Sequence, residues 1–424
     1  MAKLAPFRGY HFAPEKAGKL EDIVTQPYDK ISDSMLQAYL KRSPHSLARI
    51  IRNPDYSQAG AFLRDWIHQG ILWQNHTPCL YPYQQTFEFE NTQFHRLGFI
   101  GLVSLENSRA VKGHERILRD PLQDRLQLIR HTESNEGLIF TLYSDPSGRI
   151  DNILASFVHR EDAVAQVKDE YGVEHALWKL SEPEQISTVV QSLVDRPLYI
   201  ADGHHRFQTS LVYFEECLEK GWKPAAPESF DKRMIALFNM ENPGLMILPT
   251  HRAIRNLPRF DPQGLLSALE EAFEVHRCNT PEEVVKDMQG RTHRFGLLLE
   301  RDSYSLSLRP QALDQPSFMS GTTGLARSLE VNILHEGILG PLLRIGPEEV
   351  ARQENIEYHR KWRGLLGPLQ EGAYQAVFLL NPTTLEQVRQ ISELGKKMPQ
   401  KSTDFYPKLL SGLVLMKMEM DKPH

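Results

Sequence analysis

Near the middle of the chain, Arg196-Pro-Leu-Tyr-Ile-Ala-Asp-Gly-His-His-Arg-Phe207 leaves the backbone little choice. Pro197 to Ala201 is a short apolar and aromatic run of the kind that forms a buried strand. Asp202-Gly203 breaks it, because glycine tolerates the backbone angles of a tight turn. Phe207, Leu211, Phe214 and Leu218 then recur at helical spacing, with Gln208, Glu215 and Glu216 between them, which predicts an amphipathic helix. His204, His205 and Arg206 therefore fall on the first turn of a helix at a strand-to-helix corner. Free N–H groups and the positive end of the macrodipole face outward there and attract anions. An Arg fork adds charge-assisted donors, and the imidazoles add exchangeable protons. The corner reads as a phosphate cradle with a histidine near the chemistry. A plain turn whose histidines cap the helix is the alternative.

The rest of the chain sets bounds. At 424 residues it is long for one core, so two domains are expected. A net charge of −5 argues against a protein that coats nucleic acid, which needs basic surface. No window approaches the roughly 20 apolar residues of a spanning helix, so no membrane partner is expected. The first ten residues lack the apolar core of a signal peptide. Cys79, Cys217 and Cys278 are few and widely spaced, suggesting neither a disulfide framework nor a zinc cluster. The expectation is a soluble, cytoplasmic protein; its oligomeric state is not legible.

Strand and helix textures mix without strict βα alternation, which predicts an α+β or mixed α/β fold. Gln26-Pro-Tyr-Asp reads as an extended loop before a helix opened by Ser32. Tyr81 to Leu105 reads as a hairpin or meander turning at Asn91, and Leu122 to Ile129 as a helix. Leu138 to Tyr143, Val173 to Leu180, Met234 to Asn239 and Leu245 to Leu248 read as strands. Beyond the Pro258, Pro262 and Gly264 linker, the textures predict a helix from Leu265 to Phe273 and a hairpin across Phe295–Leu299 and Tyr304–Leu308. They continue with a helix from Leu325 to Leu339, a strand from Ala376 to Leu380, a helix from Thr384 to Leu394 and a last strand from Leu413 to Met416. The domain expectation is 1–257 and a smaller α/β domain, 258–424, with a Lys-rich loop.

Phosphoryl transfer needs a phosphate cradle, usually a divalent metal, and a group to orient or deprotonate the nucleophile. Asp202 can hold a metal or accept a proton. Asp29 lies in a Pro-bounded loop that presents a short acid, with an Asx turn capping the Ser32 helix as its bland alternative. His114-Glu115 pairs an imidazole with a carboxylate, without the second His of a zinc-protease motif. Asp124 and Arg125 read as helix-start surface charge. Lys401-Ser402-Thr403 has the ending of a phosphate-binding P-loop but lacks its glycines, although Lys396, Lys397 and Lys408 concentrate charge nearby. That suits an acidic or phosphorylated ligand, with the loop closing on the first domain. Thr250-His251-Arg252 is a second possible anion site.

Asp-Gly-His-His-Arg after a strand resembles the signature of a bacterial and archaeal family catalogued as domain of unknown function number 1015. Gln26 to Ser32, Gly113-His114-Glu115, Asp124-Arg125-Leu126, Leu248 to Arg252 and Met398 to Lys408 fit the same pattern. More distantly, the corner is similar to the Gly-Gly-Cys-His-Arg corner of sulfiredoxin and to corners of ParB-type proteins and ParB-like free serine kinases. That resemblance implies a ParB/sulfiredoxin-like nucleotide-binding core with insertions. It puts Gly203, His205 and Arg206 on phosphate and His204 where sulfiredoxin has its reactive cysteine, which excludes thiol chemistry there. The functional expectation is a phosphotransferase for a small polar metabolite, serine or phosphoserine first, with ATP or ADP and Mg²⁺. Two rivals stand beside it: a phosphate-monoester hydrolase without nucleotide, and a nucleotide-gated binding protein without turnover.

Overall fold

The computed structural model describes residues 2–315 and 317–423. The protein is mixed α/β and divides into two compact units. The first comprises Met1–Gly113, Ile117–Met246 and Phe405–His424; the second comprises His114–Arg116 and Ile247–Asp404. The unit boundary thus falls at Ile247 rather than after residue 257, and the last stretch of chain belongs to the first unit.

A nine-stranded mixed sheet organises the first unit. The corner strand, Leu198–Asp202, lies near one edge, parallel to Val111–Lys112 and antiparallel to Ile139–Tyr143. Ile139–Tyr143 and Lys232–Asn239 pair in parallel, and both are buried nearly throughout. Continuous apolar runs suit strands covered on both faces. Tyr81–Phe89 and Thr92–Ser104 form the expected hairpin, with Glu90 and Asn91 at φ 49° and 62°. Two successive positive φ values give the turn that matches strand twist.

Ile150, Leu154, Phe157, Val189, Leu193 and Phe207 pack in one core with Leu198 and Ile200 of the corner strand. A second core joins the helices Asp33–Arg42 and Tyr56–His68 to Leu128 of the helix Arg119–Thr132. Ser32 caps the first of these by accepting the Met35 N–H at 3.2 Å.

The returning C-terminal stretch is held by backbone and by one buried cation. Ser411 and Leu415 bridge to Thr25 and Tyr10, and Met416–Lys417 pairs with Ser134–Asn135. The expected strand from Leu413 is reduced to that pair of residues. Arg96 is fully buried, lies over Phe140 and Phe238, and donates to the carbonyls of Tyr406 (3.0 Å) and Pro407 (2.7 Å). Burial pushes its guanidinium down to about 9. A cation in so dry a site requires its acceptors, so Arg96 fixes the chain just before Lys408.

The second unit is built on a six-stranded antiparallel sheet. Its order is Phe273–Cys278, Ser303–Leu308, Arg294–Leu298, Ala376–Leu379, His251–Ile254, Ile356–His359. The expected linker is structured: Pro262 and Gly264 lie inside the helix Pro262–Leu269, where Asp261 accepts the Gln263 N–H at 3.1 Å. Proline fits the first turn of a helix because no partner is needed for its missing N–H. That helix ends before Phe273, which starts a strand. The helix expected over 325–339 is broken into a 3₁₀ turn, Gly324–Ser328, a short α segment and the π-helical stretch Ile333–Leu339. Ile333, Leu334, Ile338 and Leu339 are all buried there, so an apolar run by itself left the helix type undetermined.

Candidate functional site

The corner forms as its residues dictate. Leu198 to Ala201 are buried, and the strand register slips between Ile200 and Asp202. Gly203 sits at φ 94°, ψ 26°, and the helix His204–Glu219 begins directly after it. A Cβ at Gly203 would stand 3.2 Å from the Arg206 guanidinium, so glycine serves both the turn and the close approach.

Asp202 is the electrostatic centre. Its Oδ2 accepts from Arg206 Nη2 at 2.7 Å, and its Oδ1 from Lys408 Nζ at 3.1 Å. Burial opposes its ionisation, but Lys408, Arg206 and Lys30 outweigh burial and hold the carboxyl far below the usual carboxylate range. Such a carboxylate is a very weak base at neutral pH. The expectation that Asp202 accepts a proton is therefore revised: it orients Arg206 and Lys408.

Arg206 also donates to the Leu138 carbonyl. His204 is buried against Gly113, where a Cβ would come within 2.9 Å of its imidazole. His205 Nε2 accepts the Leu118 N–H at 2.9 Å, which assigns the proton of the neutral ring to Nδ1. Its remaining role is that of a donor.

Beside Arg206, within the first unit, lies a cavity of about 40 Å³ lined by Tyr28, Arg125, Glu136, Arg206, Arg233 and Ser411, among others. Arg233 is buried; it donates to the Gly137 carbonyl at 2.6 Å, while its Nε has no hydrogen-bond partner. Burial, aided by Arg206, pushes the Arg233 guanidinium down to about 9. Arg125 lies 4.1 Å over the Tyr28 ring, pairs with Asp124 and donates to the Ile51 carbonyl. It is buried, not the solvated charge its place at a helix start suggests. Glu136, also buried, accepts from Ser134. Five cations (Lys30, Arg125, Arg206, Arg233, Lys408) thus stand against four acids, Asp29, Asp124, Glu136 and Asp202. The surplus is positive, and the space fits one oxyanion rather than a whole nucleotide.

Asp29 is exposed on the 3₁₀ turn Tyr28–Lys30, one residue from Lys30, and Ser32 caps the next helix without it. Glu115, Lys401, Ser402 and Thr403 belong to the second unit. Glu115 bridges to Met398. Lys401 is left-handed at φ 56°, and its carbonyl accepts from Arg252. Ser402 donates to the Pro399 carbonyl, and Thr403 Oγ1 lies 3.0 Å from His114 Nε2.

Sequence alone gives Arg233, Lys30 and Lys408 no role in the corner. Lys30 and Lys408 do lie in motif blocks, whereas Arg233 stands in an ordinary strand start with no local signal.

Among the described residues no group of three or more His, Cys, Asp or Glu is placed to hold a metal, and no helix is long and apolar enough to cross a membrane. Fold and site together define a mixed α/β protein with a basic strand-to-helix corner. The chain belongs to the family described as "Protein of unknown function (DUF1015)", whose model matches residues 4–332. No curated protein matches it. Among solved structures it is similar to a free serine kinase in complex with AMP, at 14% identity and a TM-score of 0.37, over 74% of this chain and 91% of that chain. A conserved hypothetical protein from Pyrococcus furiosus gives 14%, 0.36, 74% and 94%. SbnI with a C-terminal truncation from Staphylococcus aureus gives 11%, 0.36, 74% and 87%.

Proposed function

We propose that the protein is a phosphotransferase acting on a small polar metabolite, with a nucleotide phosphate bound at the Asp202–Arg206 corner. One observation carries the reading: a cluster of cations, Arg233 among them with an unpartnered Nε, around a helix start and a cavity the size of one oxyanion. Arg206, Lys408 and Arg233 bind phosphate oxygens. Gly203 lets the backbone approach, and His205 donates from Nδ1. Asp202 holds Arg206 and Lys408 in place. His204 exchanges a proton with the transferring group, and Asp29 takes the proton of the acceptor hydroxyl as its oxygen bonds to phosphorus and the bond to the nucleotide's bridging oxygen breaks. Mg²⁺ would enter with ATP or ADP, held largely by phosphate oxygens and water, with the exposed carboxylate of Asp29 as the protein group offered to it.

Serine is the first acceptor to test, on the corner's resemblance to ParB-like free serine kinases. The experiment is a ³¹P assay with ATP, Mg²⁺ and serine. Serine-dependent formation of ADP and phosphoserine is expected. Phosphate release from phosphoserine without nucleotide would favour the hydrolase. Melting unchanged by ATP, ADP and phosphoserine, with no turnover, overturns the assignment.

A further inference from the structure

The second unit contains its own cavity, about 300 Å³, which the corner chemistry does not use. Its lining includes Thr250, Arg252, Glu330, Thr383, Thr384 and Ser402. Sequence separates these residues by up to the whole length of the unit; the sheet brings them together. Arg252 lies on the strand His251–Ile254, which pairs with Ala376–Leu379, and the chain runs from that neighbour into Thr383 and the helix Leu385–Glu393. The helix has nine residues and opens on a capping box, Thr384 with Gln387, so its positive end lies at the cavity wall.

Arg252 supplies the independent observation. It is 2% exposed, and among the described residues it takes part in no ion pair. Two of its nitrogens donate to the carbonyls of Thr250 and Lys401, and its guanidinium lies 5.4 Å from the Tyr358 ring centroid. Its Nε has no hydrogen-bond partner, nor does the buried Thr250 Oγ1. Burial lowers the guanidinium to about 10, so it remains charged at neutral pH. Buried charges are normally paired, and orphaned donors normally satisfied. Glu330 lines the same space, but one of its oxygens accepts the His293 N–H, and burial raises its carboxyl toward the neutral form.

We propose that this cavity is a second oxyanion site, which takes the phosphate or carboxylate group of a small polar metabolite on Arg252, Thr250 and the first turn of the Leu385–Glu393 helix. The site stands independently of the phosphotransferase reading.

The test is the melting temperature of the full chain in inorganic phosphate against chloride at matched ionic strength, because a ligand of the folded state raises it by mass action. Acetate in parallel separates a carboxylate preference from a phosphate one. Arg252→Met replaces the charge with an apolar chain of similar length. Thr250→Val removes only a hydroxyl that has no partner in the protein, so the fold does not depend on it. With two sites, Arg252→Met loses part of the anion-dependent rise, Thr250→Val shows a severalfold weaker apparent affinity, and Arg206→Ala retains the part due to this cavity. If Arg252→Met fails to fold by circular dichroism, Thr250→Val decides. A full parental rise with parental midpoint in Thr250→Val and in any folded Arg252→Met overturns the proposal. A rise abolished by Arg252→Met and untouched by Arg206→Ala keeps this site and removes the phosphate reading of the corner.

Discussion

Asp202→Asn asks whether one carboxylate holds the corner together. The substitution keeps the shape and one acceptor oxygen, so one of its two donors, Lys408 or Arg206, still has a partner. The negative charge among the cations is lost. Removing one partner of a buried ion pair costs about 3–5 kcal/mol. The Asp202 side chain is 22% exposed and that of Lys408 6%. Partial screening and the surviving hydrogen bond place the expected cost at the lower end, about 3 kcal/mol. At about 2–4 °C per kcal/mol for a unit of this size, melting falls by roughly 6–12 °C.

The pH dependence follows from the direction of the shift. Asp202 has a depressed folded-state pKa, so its contribution is present above the ordinary Asp value of 3.8 and is lost as pH falls toward the folded value. The gap between parent and Asn variant, read by urea unfolding, should stay constant from roughly pH 5 to 9 and narrow below about 4. Phosphate provides the cross-check. With the carboxylate gone, an anion can take its place between Lys408 and Arg206, so phosphate should stabilise the variant more than the parent. An Asn variant within about 1 kcal/mol of the parent at neutral pH, and indifferent to phosphate, would falsify the counter-ion role.

The remaining expectations separate the corner's parts. Arg206→Ala should weaken nucleotide or phosphate binding by about 1.5–3 kcal/mol, the worth of a charge-assisted hydrogen bond, measured by calorimetry. His204→Asn should instead keep much of the binding and lower turnover by roughly 10²–10⁴-fold; parental turnover in a folded variant moves the proton-transfer role to Asp29 alone. Gly203→Ala should cost about 1–2 kcal/mol in thermal unfolding, because a residue with a Cβ is strained at φ 94°, and should weaken binding by crowding Arg206. Unchanged stability there would mean that the turn relaxes to another conformation.

The corner was legible because its signals are local. An apolar run, Asp-Gly and a helical period fix strand, turn and helix within about twenty residues. Even so, the buried face of the helix is not the one its large residues suggest. Phe207, Ser210, Tyr213 and Cys217 are buried, whereas Leu218 is 52% exposed. The inward hydroxyls escape a hydrophobicity pattern because they satisfy themselves locally: Thr209 donates to the His205 carbonyl and Ser210 to that of Arg206.

The charges that complete the corner were not legible, for the opposite reason. Lys408 reaches Asp202 across 206 positions, and no local pattern encodes that pairing. What encodes it is distributed: Arg96 grips Tyr406 and Pro407, Phe405 packs on Phe140, and Ser411 bridges to Thr25. Each of these looks ordinary in its own stretch, since Arg96 reads as the polar position of an alternating hairpin strand. The consequence for function is specific. A chain ending near Pro258 would keep His204, His205 and Arg206 yet lose the ammonium that Asp202 orients, so its failure to bind phosphate would report the missing Phe405–His424 stretch before it reported anything about the second unit.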